Sequence, residues 1–130
     1  MRPVLILTEA GQSLADRAWV ATQWSERMRG WMGKPTAEPG EGLLLDPASS
    51  IHTFGMGFSL DLAYLDGKGR VLKLRPQMKP RRVSFGPFLA WLDGQGLQAL
   101  ELPAGTLEAL GIKVGQQLQI IDRVEGIAHA

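Results

Sequence analysis

Apolar residues along the chain come in short runs broken by glycine and proline, and few stretches between those breakers exceed ten residues. That spacing predicts short strands rather than long helices. In the segment 60–66, LDLAYLD, period-two alternation puts Leu60, Leu62 and Tyr64 on one face and Asp61, Ala63 and Leu65 on the other. Both faces are mainly apolar, so this strand is expected to be covered on both sides. It should form a hairpin with residues 70–75, closed by Asp66-Gly-Lys-Gly69. Further strands are predicted at 14–21, 42–46, 51–54, 97–102 and 117–124. The period changes at 23–32, where Trp24, Met28, Trp31 and Met32 fall at i, i+4, i+7 and i+8 on one helical face. Thr22 is the expected N-cap and Gly33 the expected stop. That spacing favours core packing for the four side chains, with a ligand pocket as the other use. A helical turn at 106–110, ended by Gly111, completes the pattern. Many short strands without a βαβ rhythm predict one mainly β domain over residues 1–130, a small antiparallel β-barrel or sandwich with one or two short helices.

Composition narrows the function classes without choosing one. A chain of 130 residues suits one hydrophobic core. Apolar residues at 45% and charged residues at 21% are ordinary globular usage. A formal charge of +1 supplies no global field for nucleic acid or an anionic membrane, so nucleic acid is not an expected partner. The expected partner is an unidentified small molecule or protein. The absence of cysteine excludes disulfides, thiol nucleophiles and cysteine-based metal sites. In residues 1–11 the apolar stretch from Val4 to Leu7 is too brief for a signal core or a membrane span, and a cytoplasmic location is the expectation.

Chemistry concentrates in the run from Ile51 to Asp66, IHTFGMGFSLDLAYLD, which places His52 near Asp61 within an apolar segment. A carboxylate on a strand covered on both sides must be paired or hydrogen-bonded, or its pKa rises. For Asp61 the available partners are His52, Arg27 or a cluster of backbone N–H groups. Glu101 repeats the pattern in LELP and could share the same cation. His52 could be a general base or a metal ligand, or simply be hydrogen-bonded between strands. His52, Asp61 and Glu101 would suit manganese, iron or zinc but lack diagnostic spacing, and His129 sits near the end of the chain, so no metal is assigned. A triad of His52, Asp61 and Ser49, Ser50 or Ser59 is arithmetically available, without a Gly-x-Ser-x-Gly elbow.

Two other segments carry alternatives. KLRPQMKPRR at 73–82 has five positive charges and no negative one. It could bind an anionic partner, but it contains no stacking aromatics and reads more simply as an exposed loop, with Met78 as a surface contact or a plug. FGPFLAW at 85–91 could expose Phe85, Phe88 and Trp91 as a lid or bury them.

Five ordered motifs carry a family resemblance: Glu26-Arg-Met-Arg-Gly-Trp-Met32, Gly42-Leu-Leu-Leu45, Ile51-His-Thr-Phe-Gly-Met56, Leu60-Asp-Leu62 through Asp66, and Leu100-Glu-Leu-Pro-Ala-Gly105. Across residues 14–121 the chain resembles the domain of unknown function 192 family. The resemblance implies a compact, largely β domain, found in secreted or lipid-anchored forms and in forms without a signal, the last being what this chain is similar to. Motif positions carried over are Arg27, Gly30, Met32, His52, Thr53, Met56, Asp61, Asp66, Glu101 and Gly105. Departures stand at Trp31, Lys34, Gly57 and Gln116. No activity and no cofactor come with the resemblance. The expectation is therefore a small-ligand-binding or accessory domain with a polar cluster at one end of a β-barrel, its ligand residues being Arg27, His52, Thr53, Met56, Asp61 and Glu101. The alternative is a small hydrolytic or metal-assisted enzyme in which His52, Asp61 and Glu101 are catalytic.

Overall fold

The hairpin at 60–75 forms where the pattern places it, and it anchors the rest of the sheet. A computed structural model describes residues 1–92 and 96–124; the side chain of Trp91 and all of His129 lie outside the described residues. In chain order the elements are β1 (Arg2–Leu7), β2 (Ser13–Ala21), α1 (Trp24–Arg29), β3 (Glu41–Leu45), β4 (Ser50–His52), β5 (Leu60–Leu65), β6 (Val71–Met78), β7 (Val83–Phe85), α2 (Phe88–Leu92), β8 (Gln98–Pro103), α3 (Thr106–Ala109) and β9 (Gln119–Asp122). None of these helices is long and apolar enough to cross a membrane.

Seven strands form one sheet in the order β6-β5-β8-β3-β2-β1-β9, and β4 pairs with β7 in a separate two-stranded sheet. Mainly β is therefore right, but the expected antiparallel character is not general. β2 and β3 run parallel, because α1 and the loop after it carry the chain back to start β3 in the same direction. Among the described residues a barrel closed by continuous ladders is not formed either. The outer strands approach at an isolated Arg70–Gln117 bridge, with Val71 N–H donating to the Gln116 carbonyl at 2.8 Å and Leu118 N–H to the Gly69 carbonyl at 2.9 Å.

The central strands are apolar on both faces, as their alternation requires. Leu44, Ala63, Leu65, Leu100 and Leu102 belong to one core layer, whereas Leu43, Leu45, Leu60, Leu62, Tyr64 and Ala99 belong to the other. Burying apolar area on both faces is the main source of stability in such a sheet.

The first helix departs from its predicted form. Its cap is Gln23, in a reciprocal capping box with Glu26, and Gly30 ends it at φ +48°, so neither Thr22 nor Gly33 marks its limits. Six residues make less than two turns, and the i+7 and i+8 positions lie beyond the helix. The expected core stripe is accordingly broken: Trp24 is 69% exposed, Met28 48% and Met32 36%, while Trp31 is buried. Met78 is also buried, opposite Leu60 in the β5–β6 ladder, so much of the basic run is strand and not exposed loop. Phe85 and Phe88 are exposed.

Candidate functional site

Glu101 sits in the middle of β8 on the same face as Leu62 and Leu43, its ladder partners in β5 and β3. Both neighbours belong to the second core layer, and the residue is 1% exposed. Its Oε2 is buried with no hydrogen-bond partner. Its Oε1 lies under Gly30, 3.3 Å from where a Cβ on that glycine would stand. Burial pushes the carboxyl up to about 8, so it is mainly protonated at neutral pH.

Above Glu101 is a cavity of ≈ 270 Å³ between α1 and the small β4–β7 sheet, with Arg27, Met28, Gly30, His52, Met56 and Val83 among its walls. A neighbouring cavity of ≈ 370 Å³ shares Arg27, Met28, Leu45, Ser50 and Ile51 with it and extends the cleft to Trp24 and Leu97. The small sheet borders this cleft through Ser50, Ile51, His52 and Val83, His52 and Val83 being cross-strand partners. Ser84, the partner of Ile51, is buried and lies 3.2 Å from the Tyr64 hydroxyl.

His52 is partly buried, its ring 6.0 Å from that of Phe54, and its Nδ1 is buried without a partner. Arg27 is pinned through its guanidinium: Nε donates to the Thr22 carbonyl at 3.1 Å and Nη1 to the Pro47 carbonyl at 2.9 Å. Arg29 follows on the last turn of α1 and also lines the cavity. Four of the predicted ligand residues, Arg27, His52, Met56 and Glu101, thus meet at one cavity.

The other two do not. Asp61 is fully buried, and its oxygens accept backbone amides, Gln77 N–H to Oδ1 at 2.8 Å and Leu107 N–H to Oδ2 at 2.9 Å. Of the three partners considered for Asp61, the structure selects the backbone amides. The proposed Arg27 pair is absent because Arg27 is bonded to carbonyls on the cleft side. Thr53 is buried in the turn after β4, where Oγ1 donates to the Lys79 carbonyl at 2.7 Å and accepts the Arg82 N–H at 2.9 Å. Among the described residues, no three His, Asp or Glu side chains are grouped to hold a metal ion.

Arg29 and Val83 line the cleft without having been singled out for it, and Met28 lines it as the pocket use of its spacing allows. The signal available in the sequence was Gly30, a glycine immediately after Arg-Met-Arg, where a chain stop leaves those side chains at an open rim.

A model of the DUF192 family, described as "Uncharacterized ACR", matches residues 5–120. A solved structure from Sinorhizobium meliloti 1021, described as a "putative transcription regulator", is similar at a TM-score of 0.74 and 21% identity, covering 92% of each chain. A protein of unknown function from Novosphingobium aromaticivorans DSM 12444 is similar at a TM-score of 0.73 and 21% identity, covering 90% of this chain and 83% of that one. At this identity the likeness shows a shared fold. No curated protein matches the chain.

Proposed function

The chain belongs to the DUF192 family, and on that premise we propose that it is a small-ligand-binding domain whose site is the cleft over Glu101. The observation that carries this reading is the pairing of two orphaned atoms in one cavity: Glu101 Oε2 and His52 Nδ1 are buried, unpartnered and belong to residues lining the same space. Each such atom costs about 1–3 kcal/mol if left unsatisfied. Stable domains keep few such atoms, and those they keep tend to be functional. Gly30 adds to the case, since its missing side chain leaves room directly above the Glu101 carboxyl.

The enzyme reading has less support. It needs Asp61 to orient His52 or to work with Glu101, yet both Asp61 oxygens are already held by main-chain amides. The sheet whose edges meet near Arg70 and Gln117 favours a barrel-like description, with the cleft outside the central sheet rather than in a barrel mouth.

A thermal-shift panel of carboxylates, sugars, nucleotides and phosphorylated metabolites tests the binding reading, with His52→Ala and Glu101→Ala beside the parent protein. A ligand at one hundred times its Kd should add about 2.7 kcal/mol, enough to raise the Tm by several degrees in a domain of this size. The expected hit disappears in both variants. Hits that both variants retain would place the ligand elsewhere and overturn the proposal.

A further inference from the structure

Charge on the cleft walls is one-sided. Arg27, Arg29 and His52 line it, and Glu101 is the single carboxyl among the described residues that do so. Neither arginine is in an ion pair among the described residues. The ion pairs among the described residues join the N-terminus to Glu26, Arg2 to Asp122, Arg17 to Asp16 and Lys34 to Glu41. Arg27 rests on two carbonyls, which fix the guanidinium without cancelling its charge.

The remaining walls are apolar: Met28, Leu45, Ile51, Met56 and Val83, continued by Trp24 and Leu97 in the adjoining cavity. A complementary molecule therefore has an anionic end and a hydrocarbon body. The state of Glu101 selects further. Its protonated carboxyl is a hydrogen-bond donor, and an O–H donor meeting an ionised oxygen makes a short, strong bond. A cation would face two guanidinium groups and would have to ionise a buried acid. A neutral amide would satisfy the carboxyl but leave both arginines without a counter-charge.

We infer that the cleft binds a small monocarboxylate, with its carboxylate held among Arg27, Arg29 and Glu101 and its aliphatic or aromatic body along Met28, Ile51 and Val83 toward Trp24. This rests on the reading of the cleft as a binding site and adds the chemical class of what enters it. The planar carboxylate also matches the fork of a guanidinium, which a pinned arginine presents at little entropic cost.

The inference has a pH signature. Once Glu101 ionises it repels the bound carboxylate instead of donating to it, so affinity should fall by about tenfold per pH unit above 8. Glu101→Gln keeps a neutral donor of the same shape and should bind with no such decline. Arg29→Gln should weaken binding at every pH.

The test is a titration of the ¹⁵N-labelled full chain with octanoate and phenylacetate, set against phenylacetamide and phenethylamine, at pH 7 and pH 9.5. Expected are shifts of the Arg29, Gly30 and His52 amides with the two carboxylates, binding about tenfold or more tighter than the amide or the amine, as one charge-assisted contact gives. Loss of affinity at pH 9.5 should occur in the parent and not in Glu101→Gln, whose spectrum also reports that it is folded. If the amine or the amide binds equally well with the same shifts, the carboxylate class is overturned while the binding site stands. If none of the four shifts those amides, the carboxylate class is overturned, and the thermal-shift panel decides separately whether the cleft is a binding site.

Discussion

Asp61 pairs with Leu102, and Glu101 pairs with Leu62, so the two buried carboxyls stand one step out of register on adjacent strands and point to opposite faces of the central sheet. Asp61 shares its face with Ala63 and Leu65, and Glu101 shares the other with Leu62 and Tyr64. No single cation can serve both, and they cannot act as an acid–base pair on one substrate. The sheet assigns them separate work. Asp61 ties β5 to the bulge in β6 and to the start of α3, while Glu101 floors the cleft.

Asp61→Ala removes the acceptor for two buried or part-buried amides, those of Gln77 and Leu107. With each orphaned donor costing about 1–3 kcal/mol, the variant should lose about 2–6 kcal/mol of unfolding free energy in urea at pH 7. Asp61→Asn keeps one acceptor oxygen and should lose less. Amide exchange at Gln77 and Leu107 should accelerate more than exchange elsewhere. A loss below about 1 kcal/mol for the alanine variant would show that these two bonds do not hold the carboxylate in place.

Stability should decline with pH because of Glu101. Its carboxyl is raised from 4.5 to about 8 by burial, so between those values the native state holds a proton that the unfolded chain has released. Its contribution is whole below about 4.5 and is lost as pH rises through about 8. The slope approaches about 1.4 kcal/mol per pH unit within that window and flattens above it. Glu101→Gln has no such titration, so the difference in unfolding free energy between parent and variant should fall from pH 5 to pH 8 and then level. Parallel curves for the two proteins would contradict a buried, protonated Glu101.

How far the sequence leads depends on whether an interaction is local. The β5–β6 hairpin was legible because its alternation is long and its turn is self-contained: Asp66 Oδ1 accepts the Lys68 and Arg70 amides at 2.8 and 3.0 Å. Burial of Asp61 and Glu101 was legible from the same alternation. Their partners were not, since facing depends on a register between strands separated by more than thirty residues. β1 escaped notice because its short Val4–Leu7 run becomes a strand through β2 and through β9 at the far end of the chain. The helical face of Trp24, Met28 and Trp31 misled because a period of 3.6 was extrapolated through Gly30, where the helix ends.

Thr53, a family-motif position expected to touch ligand, holds the main chain instead. Its hydroxyl bridges the Lys79 carbonyl and the Arg82 amide, and its own N–H donates to the Arg82 carbonyl at 2.9 Å. Thr53→Val keeps the shape and removes the bridge, which should cost about 1–3 kcal/mol. Exchange at the Arg82 amide should speed up, since β7 begins at the next residue. Unchanged stability and exchange would return Thr53 to the list of candidate ligand contacts.

Gly30 is where the helix stop and the cleft become one requirement. Its N–H donates to the Glu26 carbonyl at 3.0 Å, its φ is +48°, and a Cβ there would stand 3.3 Å from Glu101 Oε1 and 3.6 Å from Oε2. Gly30→Ala should therefore cost about 1–3 kcal/mol from the backbone conformation, with crowding of the carboxyl in addition. Gly57→Ala is the matched control, since a Cβ there meets nothing within 4 Å. The two contributions separate in a double-mutant cycle. In a Glu101→Ala background the crowding vanishes while the backbone strain stays, so Gly30→Ala should cost less there than in the parent. Equal costs in both backgrounds would mean that the carboxyl moves aside freely. In that case Gly30 serves the helix end alone, and the room above Glu101 follows from the turn instead of being a reason for the glycine.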